Sequence, residues 1–278
     1  MASSNDPLYD FDRSPFTDEG VTREVYRSGE GPNCIVMAEI PGITPLVADF
    51  ARRVRELGCS VTLPVLFGDP GRAPSPGYIT KSVTKACVAS EFAAFAAKRT
   101  APISSWLRAL AAAEHERCGG PGVGAVGMCF TGGFALGMMV EESVVAPVLS
   151  QPSLPLGFGR KRRAGLHLSP QDRLAVKARA DAGVCVMAAR FTDDPLVPKR
   201  RFDAMKKLLG DNFIGIEIDS SKGNPYGIDH GAHSVLTEHL VDEPGHPTRD
   251  ALDRVLDFLA DRLLPAAGRE AAGLSNLA

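Results

Sequence analysis

The sequence predicts an α/β protein, a mostly parallel central sheet with helices on both faces. Three observations carry that reading. Apolar runs of strand length alternate with amphipathic helices along most of the 278 residues, and such alternation returns each strand to one sheet in the same direction. Helix boundaries are written into the chain, with Thr44-Pro45 and Ser169-Pro170-Gln171-Asp172 as starts and Gly58 and Gly183 as stops. Composition is 44% apolar and 23% charged, which suits one large domain with a sizeable core.

The elements follow in order. Residues 1–21 read as an irregular lead-in. Val25-Tyr26 and Cys34–Ala38 are strand-like. From Pro45, the residues Leu46, Val47, Phe50, Val54 and Leu57 share one helical face. Val61–Leu63 with Val65-Leu66 makes the next strand, which runs into a Gly/Pro-rich loop at 67–78. Ala-rich helices are expected near 85–98 and 103–117, the second burying Ile103, Trp106, Leu107 and Leu110. Residues 122–128 form a buried strand, 131–140 a helix and 144–150 a strand. A helix to about Asp181, a strand at 184–191, a helix near 199–210 and a strand at Phe213–Ile218 come next. The last helix, about 249–264, carries Leu252, Val255, Leu256, Leu259 and Leu263 as one stripe. Residues 22–264 therefore read as one domain and 265–278 as a mobile tail.

Several function classes are disfavoured. Formal net charge is −2, and the short basic run Arg160–Arg163 has no aromatic neighbours for base stacking, so no nucleic-acid partner is expected. No apolar run reaches the ~18 residues of a membrane span, and no membrane partner is expected. Cysteines 34, 59, 87, 118, 129 and 185 contain no C-x-x-C pair. With an N-terminus lacking the order of a signal peptide, a reduced cytoplasmic compartment is expected.

Residues 121–135, PGVGAVGMCFTGGFA, contain two competing motifs. Gly122, Gly124 and Gly127 spell G-x-G-x-x-G, but a dinucleotide site needs its glycines after a strand and an acid ~20 residues on. Here the glycines precede and occupy the apolar run, and Glu141-Glu142 close the following helix. A nucleotide-dependent oxidoreductase is thus a weak reading. Cys129, by contrast, stands where a strand stops and a helix begins, so it projects from a tight turn toward the positive helix end. Flanking Gly127 and Gly132-Gly133 let backbones pass closely. A buried structural thiol is the bland alternative.

A thiol nucleophile needs an imidazole for its proton and a carboxylate to orient that imidazole, each from a later strand end. Asp193-Asp194 follow the strand at 184–191, and Gly231-Ala232-His233-Ser234 follow the strand Phe213–Ile218.

At this point the chain resembles the dienelactone hydrolases, the cysteine branch of the α/β-hydrolases. GMCFTGG (127–133) is similar to the family's nucleophile elbow, DPLVP (194–198) to its acid loop, GAHS (231–234) to its histidine loop and MAEIPG (37–42) to its oxyanion loop. The resemblance runs from about residue 22 to 264 and implies the three-layer α/β-hydrolase fold. It implies Cys129 as nucleophile, His233 as proton shuttle and Asp194 as orienting acid, chosen over Asp193 because the family's acid lies four residues before the proline, here Pro198. The amides of Ile40 and Phe130 would form the oxyanion hole, and Glu39 would sit beside the thiol and modulate it. His230, His115, His167, His239 and His246 read as exposed or satisfied; the trio His230, His233 and His239 lacks a metal-type spacing.

Two departures stand out. Thr131 occupies a position that is usually glycine. Thr237 stands four residues after His233, where the family carries an arginine that grips substrate carboxylates; Arg99 and Arg190 are possible substitutes. Long loops at 67–80, 151–168 and 219–231 offer Phe67, Tyr78, Thr131, Phe158 and Tyr226 as pocket candidates. The expectation is an ester or lactone hydrolase acting on a small molecule, with no cofactor and no metal. The alternative is a non-catalytic α/β-hydrolase-fold protein that binds a small ligand. Oligomeric state is not legible.

Overall fold

A computed structural model describes residues 6–88, 102–153, 164–166 and 168–264. The expected positions of Phe158, Arg99, His167, the basic run at 160–163 and the tail at 265–278 lie outside the described residues.

Eight strands form one sheet: β1 (Asp12–Asp18), β2 (Val21–Ser28), β3 (Asn33–Met37), β4 (Ser60–Pro64), β5 (Val123–Met128), β6 (Val144–Ser150), β7 (Val186–Phe191) and β8 (Phe213–Ile218). Their spatial order is β1-β2-β4-β3-β5-β6-β7-β8. β1 with β2 and β2 with β4 pair antiparallel; the remaining neighbours are parallel. The helices are α1 (Pro45–Glu56), α2 (Pro76–Val88), α3 (Pro102–Cys118), α4 (Gly132–Met138), α5 (Pro170–Asp181), α6 (Lys199–Leu209) and α7 (Pro247–Leu263).

Strand alternation sorts the core into two layers. Cys34 and Val36 of β3 and Val126 and Met128 of β5 pack with α1 and α7. Ile35 and Met37, with Val123 and Ala125, face the other way against α3, α4, α5 and α6. The sandwich of helices, sheet and helices is the three-layer arrangement expected.

After β3 the chain crosses to β4 on one side; β5 then enters on the other side of β3. The loops leaving β3 and β5 diverge there, opening a crevice at the carboxyl ends of the strands. Glu39 and Cys129 leave the sheet at that switch point.

The N-terminal reading needs correction. The segment read as an irregular lead-in, 1–21, contains β1, and β2 is longer than Val25-Tyr26. Glu19 and Gly20, with φ of 45° and 78°, make the tight turn between them. The ribbon is largely exposed, so it lacks the apolar alternation that reveals a strand. Phe16 anchors it, its ring centroid 5.3 Å from that of Trp106. α2 also starts earlier than the helix expected at 85–98, most of which lies outside the described residues. Pro76-Gly77 reads as loop punctuation, yet proline suits a first helical turn, and the Tyr78 amide donates to Ser75 Oγ at 3.4 Å.

Candidate active site

The elbow after β5 is built by exclusion of side chains. Cys129 has φ of 55°, unusual for a residue with a Cβ, and opens a single 3-10 turn, Cys129–Thr131, that runs into α4. A Cβ on Gly127 would lie 2.2 Å from the Thr131 carbonyl oxygen, and one on Gly132 would lie 2.8 Å from Pro152 Cβ. Thr131 is fully buried and locks the turn. Its Oγ1 accepts from the Met128 amide at 2.8 Å and lies 2.9 Å from the carbonyls of Met37 and Met128. The threonine thus ties the elbow to the end of β3.

The acid and histidine loops converge. Asp194 is buried, and its Oδ2 lies 2.6 Å from His233 Nδ1. Its Oδ1 accepts from the Leu196 amide at 2.8 Å, so both oxygens are fixed. His233 Nε2 is buried and makes no hydrogen bond among the described residues. Burial opposes positive charge on this ring, but the Asp194 carboxylate and the Cys129 sulfur favour it more strongly, and the pKa rises to about 10. Asp193 points away, 3.1 Å from Nδ1 of the exposed His230. His239 Nδ1 accepts from the amides of Ser234 at 3.2 Å and His233 at 3.4 Å. Its pKa is lowered by burial and by the neighbouring His233 charge. Among the described residues, no group of three or more His, Cys, Asp or Glu side chains is arranged for a metal ion.

Glu39 leaves β3 inside a turn closed by the Gly42 amide on the Glu39 carbonyl at 2.8 Å, with Ile40 and Pro41 between. Its buried carboxylate receives Ser234 Oγ at 2.5 Å, Gln151 Nε2 at 3.2 Å and the Thr237 hydroxyl. Gln151 in turn accepts from the Val235 amide at 3.2 Å. Three loops are joined through this one carboxylate, and none of its hydrogen bonds goes to Cys129. Beside Cys129 stands Ser153, its Oγ 3.0 Å from Sγ and its amide donating to the Cys129 carbonyl at 2.9 Å.

Two arginines are buried nearby. Arg190 donates to Glu217 Oε2 at 2.9 Å and to the carbonyls of Thr192 and Val197, so its guanidinium braces the loop after β7. Arg201 Nη1 bridges the carbonyls of Pro152 at 2.6 Å and Leu196 at 2.9 Å. Burial pulls its pKa down to about 10, partly offset by Asp194 and Cys129, and it remains a cation at neutral pH. A small cavity of about 10 Å³, room for one water, lies between Ser153, Arg201, Leu136, Leu149 and Met205.

The pocket candidates are redistributed. Phe67 is half-buried in the same apolar layer as Cys129. The Tyr78 hydroxyl bonds the Asp69 backbone and its ring carries the Arg72 guanidinium at 4.2 Å. Tyr226 is 53% exposed and packs edge-on to His246, 5.5 Å between centroids. Thr131 is fully buried, and its hydroxyl is taken up by backbone. Ser153, Gln151 and Arg201 were not legible in the sequence. Arg201 stands in the run Lys199-Arg200-Arg201 and resembles a solvated face; only the i, i+4 relation of Arg201 to Met205, both buried, hints at its inward side.

Comparisons with known proteins agree with this architecture. The family model described as "Dienelactone hydrolase family" matches residues 22–262. A putative dienelactone hydrolase from Klebsiella pneumoniae subsp. pneumoniae MGH 78578 has a similar structure at 17% identity, covering 90% of this chain and 98% of that one, with a TM-score of 0.61. The structure called m3DLH aligns at 20% identity, 92% and 98% coverage and a TM-score of 0.58. Est1E from Butyrivibrio proteoclasticus aligns at 13% identity, 91% and 99% coverage and a TM-score of 0.54. None of the curated proteins matches the chain. With the family model spanning all but the ends of the sequence, the chain belongs to the dienelactone hydrolase family, a family of α/β-fold hydrolases.

Proposed function

We propose that this protein hydrolyses a carboxylic ester or lactone through an acyl-enzyme on Cys129. The observation that carries the reading is the 2.6 Å contact between Asp194 and His233 from separate loops, with the imidazole close enough to Cys129 for the sulfur to act on it.

The Cys129 thiolate attacks the substrate carbonyl carbon, forming a C–S bond and pushing the carbonyl electrons onto oxygen. The amides of Ile40 and Phe130 receive that oxyanion, Pro41 having no amide to give. Collapse expels the alkoxide, which takes the His233 Nε2 proton, and a thioester remains. His233 then accepts a proton from water as it attacks, and the second collapse returns the thiolate and releases the acid. Asp194 holds the tautomer and orientation of the ring throughout.

Substrate class is narrowed by what is missing. Thr237 occupies the place of the carboxylate-gripping arginine and bonds Glu39, while Arg190 is turned to the acid loop. A neutral ester or lactone therefore suits the site better than a small anionic one. The scheme itself needs no cofactor.

The test is turnover of a p-nitrophenyl ester by the wild type and by Cys129→Ala, with iodoacetamide labelling followed residue by residue. Loss of turnover in the variant, and faster alkylation at Cys129 than at the other thiols, are expected. Absence of both would favour a ligand-binding protein without catalysis.

A further inference from the structure

The resemblance assigns Glu39 to the resting thiol, but the contacts around the sulfur point elsewhere. Both Glu39 oxygens already accept hydrogen bonds, from Ser234, Gln151 and Thr237. Ser153 is buried, and its hydroxyl makes its one contact among the described residues with Cys129 Sγ, at 3.0 Å. The Ser153 amide bonds the Cys129 carbonyl at 2.9 Å, so backbone fixes the spacing of the two side chains. Arg201 holds the preceding residue through the Pro152 carbonyl at 2.6 Å and ties it to Leu196 of the acid loop at 2.9 Å.

We propose that Ser153, not Glu39, is the resting partner of the Cys129 sulfur, its hydroxyl donating to the thiolate. This rests on the reading of Cys129 as nucleophile. A hydroxyl is a stronger donor than a thiol, and an anionic sulfur is the stronger acceptor, so the proton belongs on oxygen. His233 and Arg201 both interact electrostatically with the sulfur, while Asp194 is bonded to His233 and Glu39 to Ser234. The Cys129 sulfur also acts on the neighbouring His233 ring, although no contact of Nε2 meets hydrogen-bond geometry among the described residues. Glu39 becomes a keystone that joins the oxyanion turn to the histidine loop and to the loop after β6.

The test is the pH profile of iodoacetamide labelling at Cys129, read by peptide mass spectrometry in the full-length protein. Ser153→Ala should slow labelling about tenfold at neutral pH, the size of one hydrogen bond to a charged group, and raise the midpoint by about one unit. Ser153→Thr, which keeps the hydroxyl, should recover most of the wild-type profile. Glu39→Gln should leave the midpoint in place. An unchanged midpoint in Ser153→Ala, or a shift carried by Glu39→Gln instead, would overturn the proposal. Should the threonine variant not fold, the alanine midpoint alone decides. Retained ester turnover in Cys129→Ala would sink the nucleophile reading itself; loss of turnover there with wild-type labelling in Ser153→Ala would sink this inference only.

Discussion

Asp193 and Asp194 are consecutive in the chain, yet their carboxylates serve different histidines. Asp194 is buried 2.6 Å from His233, whereas Asp193 meets His230 at 3.1 Å on the exposed rim. The split gives the first prediction. Asp194→Asn should lower kcat/KM for an ester by about a thousandfold, through loss of the ring's orientation and charge. Asp193→Asn should stay within about threefold, the scale of a surface ion pair. Parallel kinetics of the two variants check this, and equal losses would contradict it.

A second prediction concerns pH and stability. The folded-state pKa of His233 is raised from 6.5 to about 10, so the native state keeps a proton that the unfolded chain releases. Its stabilising contribution is complete below pH 6.5 and is lost as pH rises through about 10. In denaturant unfolding across that window, His233→Gln should flatten the fall in stability. Cys129→Ala should narrow the window from above, because the sulfur supplies part of the support.

The elbow glycines should be intolerant for a steric reason. Gly127→Ala places a methyl 2.2 Å from the Thr131 carbonyl oxygen, and the backbone must move at a cost of about 2–3 kcal/mol. Thr131→Val keeps the volume but strands the buried Met128 amide, for about 1–3 kcal/mol. Urea unfolding measures both; a neutral Gly127→Ala would mean the turn is not built as described.

Substrate charge supplies a fourth prediction. With Thr237 bonded to Glu39 and Arg190 engaged by Glu217, Thr192 and Val197, neutral lactones should be hydrolysed at least as well as small anionic ones. A panel of both, compared by kcat/KM, decides. Strong preference for the small anions would contradict it.

The central sheet was legible because strands buried on both faces, such as Val123–Met128, read as continuous apolar runs, and because the helices carry their caps in sequence. The ribbon of β1 and β2 was not, since an exposed strand has no apolar period to detect. Cys129, Asp194 and His233, the residues of the proposed triad, stand in local motifs at strand ends that a single sequence displays. The surroundings of Tyr78 and Tyr226 were not legible because an aromatic in a Gly/Pro-rich stretch carries no record of which way it faces. Ser153, Gln151 and Arg201 act through contacts between residues far apart in the chain, for which a single sequence holds no local signal. The same holds for Glu39, whose position was legible but whose three hydrogen-bond partners come from two other loops.

The most direct test of the central claim is the mass of the protein quenched in acid during turnover of a slow p-nitrophenyl ester. The account predicts one added acyl group, mapped to the peptide carrying Cys129 and missing in Cys129→Ala. Turnover with no adduct on Cys129, or with the acyl group on another residue, would contradict it.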